Sequence, residues 1–163
     1  MLMYIRFMTI STSAADQAPL TTHPERLVLS LGAAWATTER TLGARLGSLV
    51  GLSLSDYRIL HALSQSPNAL GASRIDLARQ VGLTASGVTR ALQPLERIGC
   101  VATTRDQRDA RLTRCSLTDE GQELVANATE ILREAVLELL DLAPKCRDGA
   151  SNLVEMLSEL ANH

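Results

Sequence analysis

Two short runs with strand character, set in a chain dominated by leucine and alanine, limit what this sequence can fold into. Cys100-Val-Ala-Thr-Thr and Leu112-Thr-Arg-Cys-Ser-Leu117 flank the insert Arg105-Asp-Gln-Arg-Asp-Ala-Arg111, where three arginines alternate with two aspartates. Threonine-bearing, alternating flanks around a charged insert predict a two-stranded ribbon with an exposed tip. Gly99 closes a helical pattern before the ribbon, and Thr118-Asp-Glu-Gly121 caps another after it. By itself the insert fits a solvated tip that only aids solubility as well as it fits a surface for a polyanion.

Helical patterns fill most of the rest. Leu27, Leu31, Ala34, Trp35, Thr38, Leu42 and Leu46 recur at three- and four-residue steps from Pro24 to about Leu49, where Gly51 breaks the pattern. Ser53-Leu-Ser-Asp56 has the form of a capping box for a helix over 54–63 that carries Tyr57, Leu60 and Leu63 on one face. Residues 67–71 read as a loop. Ser73 then caps a short helix, Arg74 to Val81, with Asp76 near its N-terminus and Gly82 as its left-handed stop. A second helix starts at Thr84 or Ser86 and runs to about Ile98. Pro94 inside it removes one backbone bond and should kink or loosen its C-terminal half.

After the ribbon, an apolar stripe from Leu124 to about Leu142 predicts a long helix that Pro144 stops. Leu153, Val154, Met156, Leu157 and Leu160 mark a last one. A chain of this size has few places to hide these stripes together with that of the first helix, so a homodimer is the economical expectation.

Charge sharpens the reading. The net charge of −2 conceals a basic middle: residues 74–114 hold eight arginines against four acids, while residues 115–163 hold ten acids against three basic groups. Arginine alone supplies the positive charge of the middle, and its fork suits phosphate and guanine. Aromatic residues make up 2% of the chain, too few for a single-strand stacking platform. Cys100, Cys115 and Cys146 form no CxxC pair and no zinc spacing with the histidines, so no metal site is expected, and an odd unpaired count suits the cytoplasm. No nucleophile–base–orienter set and no phosphate-cradling glycine loop is present, so no catalytic residue, cofactor or enzymatic activity is expected. Met1 to Ile10 is apolar but interrupted by Arg6, too short for a membrane span and without a basic n-region. Residues 1–23 read as a disordered lead-in, or Met8 as the true start.

Helix, turn, helix and basic hairpin, in that order, outline a winged DNA-binding module. The sequence resembles the MarR (multiple antibiotic resistance regulator) family. The resemblance rests on the run from Leu77 to Val101, on Asp106-Gln-Arg-Asp-Ala-Arg111 and on Leu117-Thr-Asp-Glu-Gly121, and covers about residues 25–161. Pro94 and Cys100 depart from the usual pattern. The expected fold is mostly α: a winged helix-turn-helix domain over 53–117 with a small β-hairpin wing (about 100–117), a dimerisation helix over 24–50 and C-terminal dimerisation helices over 118–163.

The helix over 84–98 is expected in the major groove, the groove that admits a helix and displays a full base code. Arg90 is the expected base or phosphate contact, with Ser86 and Thr89 for shorter hydrogen bonds; Thr84 is either a DNA contact or a cap only. The resemblance further implies that Arg111 probes the minor groove with Asp109 orienting it, and Arg105 and Arg108 are placed for phosphates. It also implies a small phenolic or lipophilic anion as effector; Trp35, Tyr57 and His61 have suitable chemistry for it, though each also fits ordinary helix packing. The expected function is a dimeric, ligand-responsive transcriptional repressor reading a pseudo-palindromic operator in double-stranded DNA. The alternative is a winged-helix interaction or architectural protein without a specific operator. Cys100 and Cys115 lie on opposing strands, where a suitable register could bring them together.

Overall fold

The computed structural model describes residues 23–66, 71–105 and 113–161. Its elements run α1 (Pro24–Val50), α2 (Leu54–Ser64), β1 (Ala72–Ser73), α3 (Arg74–Val81), α4 (Ala85–Arg97), β2 (Val101–Arg105), β3 (Thr113–Leu117), α5 (Asp119–Asp141), α6 (Pro144–Asp148) and α7 (Ala150–Ala161). The mostly helical fold with a small sheet is therefore as expected from the sequence. The lead-in over 1–22 and the loop residues 67–70 lie outside the described residues.

Contacts divide the chain into two compact units, one ending at Thr38 and the other beginning at Glu39, so the boundary falls within α1. In the first unit Leu27, Val28, Leu29 and Trp35 are exposed. The second unit holds the core, in which Leu46, Ile59, Leu60, Leu77, Val88, Leu92, Leu95 and Cys115 are fully buried. Within that unit the guanidinium of Arg45 donates to both carboxylate oxygens of Glu138 at 2.6 Å, tying the end of α1 to α5.

Local chemistry accounts for most boundaries. The capping box at α2 is complete: the Ser53 hydroxyl accepts from the Asp56 amide at 3.1 Å, and the Asp56 carboxylate accepts from the Ser53 amide at 3.0 Å. Ser73, Thr84 and Thr118 cap α3, α4 and α5 in the same manner, each accepting from the amide three residues on. Gly82 ends α3 at φ 64°, in the left-handed region that glycine occupies without strain. Helix α4 continues through Pro94 to Arg97, with the Pro94 carbonyl accepting from the Ile98 amide at 3.1 Å.

The sheet is antiparallel in the order β1-β3-β2. Val101 stands opposite Leu117, and Arg105 opposite Thr113. Strand β2 starts one residue later than the sequence suggested, because both backbone groups of Cys100 are used elsewhere. Its amide donates to Leu95 at the end of α4, and its carbonyl accepts from Thr118 at the start of α5. Strand β1 was not foreseen. It pairs Ala72 with Cys115 and Ser73 with Arg114, and it depends on Gly71, where a Cβ would stand 2.0 Å from the Cys115 carbonyl oxygen. The register also separates the two strand cysteines: Cys115 faces Thr103, whereas Cys100 lies beyond the Val101–Leu117 pair, and both thiols are free. Pro144 does more than stop a helix. It opens α6 in the first turn, where its missing N–H costs nothing.

Helix α5 buries Val125, Ala128, Leu132 and Ala135 but exposes Val136 and Leu137. Helix α7 buries no residue, leaving Leu153, Val154, Met156, Leu157 and Leu160 exposed.

Candidate nucleic-acid interface

Helices α3 and α4 are held at a fixed turn. The Arg58 guanidinium donates to the Val81 carbonyl, satisfying the C-terminus of α3 beside Gly82. On α4, Thr84 Oγ1 accepts from the Gly87 amide at 3.1 Å and is hydrogen-bonded to Ser86 Oγ at 3.1 Å. A Cβ at position 87 would crowd Thr84 Oγ1 at 3.2 Å, which favours glycine there.

The two faces of α4 are sharply separated. Val88, Leu92 and Leu95 are buried. At about 100° per residue, Ser86, Arg90, Gln93 and Arg97 fall within a stripe about 60° wide on the opposite side of the helix. All four are exposed. Among the described residues, the side chains of Arg90, Gln93 and Arg97 make no hydrogen bond or ion pair. The stripe contains no acid. Glu96, the one carboxylate of α4, is turned aside to Arg74 Nη2 at 3.7 Å and accepts a hydrogen bond from Thr103 on β2.

Of the residues proposed from sequence, Ser86 and Arg90 lie on this stripe. Thr84 is engaged as the helix cap. Thr89 is half-buried about 70° from the stripe's middle, and its hydroxyl donates to the Ala85 carbonyl at 2.9 Å. Gln93 and Arg97 were missed, although the 4-3-4 spacing from Ser86 was visible. Arg105 ends β2, exposed and with no partner among the described residues. Arg108, Asp109 and Arg111 lie outside the described residues.

The base of the wing is firmly mounted. Glu96 links α3, α4 and β2 through Arg74 and Thr103. Thr118 Oγ1 donates to the Gly99 carbonyl at 2.7 Å, and Gly121 packs so closely on Cys100 that a Cβ would reach its carbonyl oxygen at 2.0 Å. Arg114 Nη1 donates to the Gly71 carbonyl at 3.3 Å, joining β3 to the start of β1. Burial, reinforced by the negative charge of Glu120, pushes the Cys100 thiol above its ordinary pKa, so the thiol is held neutral.

The three aromatic candidates for an effector divide between the units. Trp35, in the first, is 47% exposed. In the second, Tyr57 and His61 are brought together with ring centroids 5.6 Å apart, and the Tyr57 hydroxyl is bonded to Thr129 Oγ1 at 3.1 Å. A separate cleft of about 410 Å³, lined by Leu63, Gly71, Leu117, Gln122 and Val125 among others, includes neither ring. Among the described residues no cluster of metal-ligating side chains occurs, and no helix is long and apolar enough to cross a membrane.

A capped helix–turn–helix followed by an antiparallel wing, with a polar stripe facing away from the core, defines a winged helix-turn-helix DNA-binding protein. A profile of the MarR family matches residues 50–112. The uncharacterized HTH-type transcriptional regulator YdgJ of Bacillus subtilis is 27% identical over 124 residues, which span 76% of this chain and 73% of YdgJ. The MarR family protein RV2887 of Mycobacterium tuberculosis, solved in complex with salicylic acid, is 31% identical with a TM-score of 0.62, covering 87% of this chain and 98% of that one. Sco3205 of Streptomyces coelicolor, a MarR family regulator solved in complex with DNA, is 26% identical with a TM-score of 0.65, covering 83% of this chain and 86% of that one. The chain belongs to the MarR family of transcriptional regulators, and its role is accordingly regulatory rather than enzymatic.

Proposed function

We propose that the protein is a homodimeric, ligand-responsive repressor in the cytoplasm that reads a pseudo-palindromic operator with α4 in the major groove and the wing in the minor groove. The observation that carries this reading is the acid-free stripe on α4, opposite the helix's core face, on which Arg90 is exposed and has no partner among the described residues. Ser86, Thr89 and Arg90 contact bases or phosphates, while Thr84 chiefly shapes the start of the helix. Arg105 and Arg108 anchor phosphates, and Arg111, oriented by Asp109, enters the minor groove, where a narrow groove strengthens its attraction. The complex of Sco3205 with DNA supports this use of the fold.

The exposed apolar residues of α7, and separately those of the first half of α1, support a second copy as their cover, with residues 24–50 and 118–163 supplying dimerisation helices around the 53–117 DNA-binding domain. Two recognition helices then read half-sites on the order of 34 Å apart. Trp35, Tyr57 and His61 are the proposed effector contacts, for a small phenolic or lipophilic anion. The salicylic acid complex of RV2887 supports that class of ligand.

Footprinting on the DNA flanking the gene, followed by anisotropy titration of the protected site, tests the reading. Symmetric protection is expected, and Arg90→Ala and Arg111→Ala each weaken binding without changing the melting temperature. If each subunit neutralises about four phosphates, log K falls with log salt at a slope of roughly −7. Salt-sensitive binding with no preferred site would refute the operator reading. Unchanged affinity in Arg111→Ala would refute the assignment at the wing.

A further inference from the structure

We propose that Gln93 is a specificity-determining residue that reads an adenine in each half-site. The inference rests on α4 occupying the major groove and goes beyond it by assigning one side chain to one base. Gln93 is exposed on the same stripe as Ser86 and Arg90, and its amide makes no hydrogen bond among the described residues. Val88, Leu92 and Leu95 point the other way, into the core, and Glu96 is held by Arg74 and Thr103.

Length decides what each member of the stripe can reach. At about 1.5 Å per residue, Gln93 lies about 10.5 Å along the axis from Ser86, and Arg97 about 16.5 Å. The major groove is about 12 Å wide. Ser86, Arg90 and Gln93 therefore fit over base edges even where the helix crosses the groove, whereas Arg97 falls at its rim beside a phosphate. A glutamine amide offers one donor and one acceptor side by side, which match adenine N6 and N7. Helix α4 runs unbroken through Pro94, so Gln93 is carried on a formed helix rather than on a loosened end.

The test is binding-site selection from randomised duplexes with the full-length protein, Gln93→Ala and Gln93→Arg at one salt concentration, with melting curves alongside. The wild type selects adenine at one symmetric pair of positions. Gln93→Ala loses that preference alone, by roughly 5- to 150-fold, with an unchanged salt slope. Gln93→Arg moves the preference to guanine, whose O6 and N7 accept the guanidinium fork. A selected wild-type motif that Gln93→Ala leaves intact at every position, or that Gln93→Arg does not shift, overturns the assignment while leaving the operator reading standing. Uniform loss across all sequences at an unchanged melting temperature also overturns it, because Gln93 would then be a backbone contact. Failure of the wild type to select any motif overturns both readings.

Discussion

Gly121 lies in the first turn of α5, where helix propensity and packing make opposite predictions. Propensity favours alanine over glycine in a helix by about 1 kcal/mol. Packing opposes it, since a Cβ at 121 would stand 2.0 Å from the Cys100 carbonyl oxygen and 3.0 Å from its carbon. Ordinary contact begins near 3.4 Å, so the backbones must part by about 1.4 Å. That movement strains two bonds at the same joint, from the Thr118 amide to the Cys100 carbonyl at 3.2 Å and from Thr118 Oγ1 to the Gly99 carbonyl at 2.7 Å. Overpacking of this kind costs about 1–3 kcal/mol, and each weakened hydrogen bond about 0.5–1.5 kcal/mol. With the middle of each range taken and the propensity gain subtracted, Gly121→Ala should destabilise the protein by about 3 kcal/mol.

Gly43 provides the control. It is a helical glycine of α1 in the same unit, and nothing lies within 4 Å of its added Cβ. Gly43→Ala should therefore gain up to about 1 kcal/mol. Urea unfolding followed by circular dichroism, at one protomer concentration for all variants, measures both effects. At about 2–4 °C per kcal/mol for a chain of this size, Gly121→Ala should melt roughly 6–12 °C below the wild type and Gly43→Ala slightly above it. A Gly121→Ala variant as stable as Gly43→Ala would refute the close approach of α5 to Cys100 and the mounting of the wing derived from it.

Two further outcomes follow from the same joint. Glu96→Ala removes the acceptor of Thr103 and the carboxylate facing Arg74. With both members of the ion pair about one-third exposed, the expected cost is roughly 1 kcal/mol. A Glu96→Ala/Thr103→Ala double-mutant cycle should give a coupling of about 0.5 kcal/mol or more, and strict additivity would refute the link. The thiolate is the reactive form of cysteine, and burial together with Glu120 favours the neutral thiol at Cys100, so its thiolate fraction at a given pH is below that of a free thiol. Timed alkylation at neutral pH, read by mass spectrometry, should label exposed Cys146 first and Cys100 and Cys115 only on unfolding. Early labelling of Cys100 would contradict its placement.

The caps and stops were legible because their chemistry is local. Ser53 with Asp56, Ser73 with Asp76, Gly82, Thr84 and Thr118 each act within four residues, and each does what its sequence neighbourhood implies. Tertiary approach was not legible. Strand β1 is two residues long and exists because Gly71 lets the Cys115 carbonyl come close, a property no pattern in Ala72-Ser73 encodes. The hairpin register that separates Cys100 from Cys115 depends on where α4 ends and α5 begins, since both claim the backbone of Cys100. With Pro94 next to it, Gln93 is predicted from sequence to sit at a loosened helix end. Its alignment with Ser86 and Arg90 emerges once the helix is seen to continue.

The partners of the arginines explain how a chain of net charge −2 can face a polyanion. Composition treats the eight arginines of residues 74–114 as one pool, but their work differs. Arg74 faces Glu96 and Arg114 the Gly71 carbonyl, so both serve the fold, as Arg58 does at the end of α3. Arg79 is exposed but lies 3.6 Å from Asp76. The two acids between residues 74 and 105, Asp76 and Glu96, are thus each matched by an arginine on the spot. Arg90, Arg97 and Arg105 remain outward-facing without a counter-charge among the described residues. The acids responsible for the negative total belong to α5, α6 and α7, where Glu130 and Asp141 already hold Arg133 and Arg147. Exposed charges are screened beyond a Debye length of about 8 Å at physiological salt, so what a phosphate meets at α4 is set by the local set rather than by the sum. The salt slope of binding should accordingly respond to Arg97→Ala or Arg105→Ala, each lowering it by about one phosphate per subunit, and remain unmoved by neutralising Glu155 or Glu159 on α7.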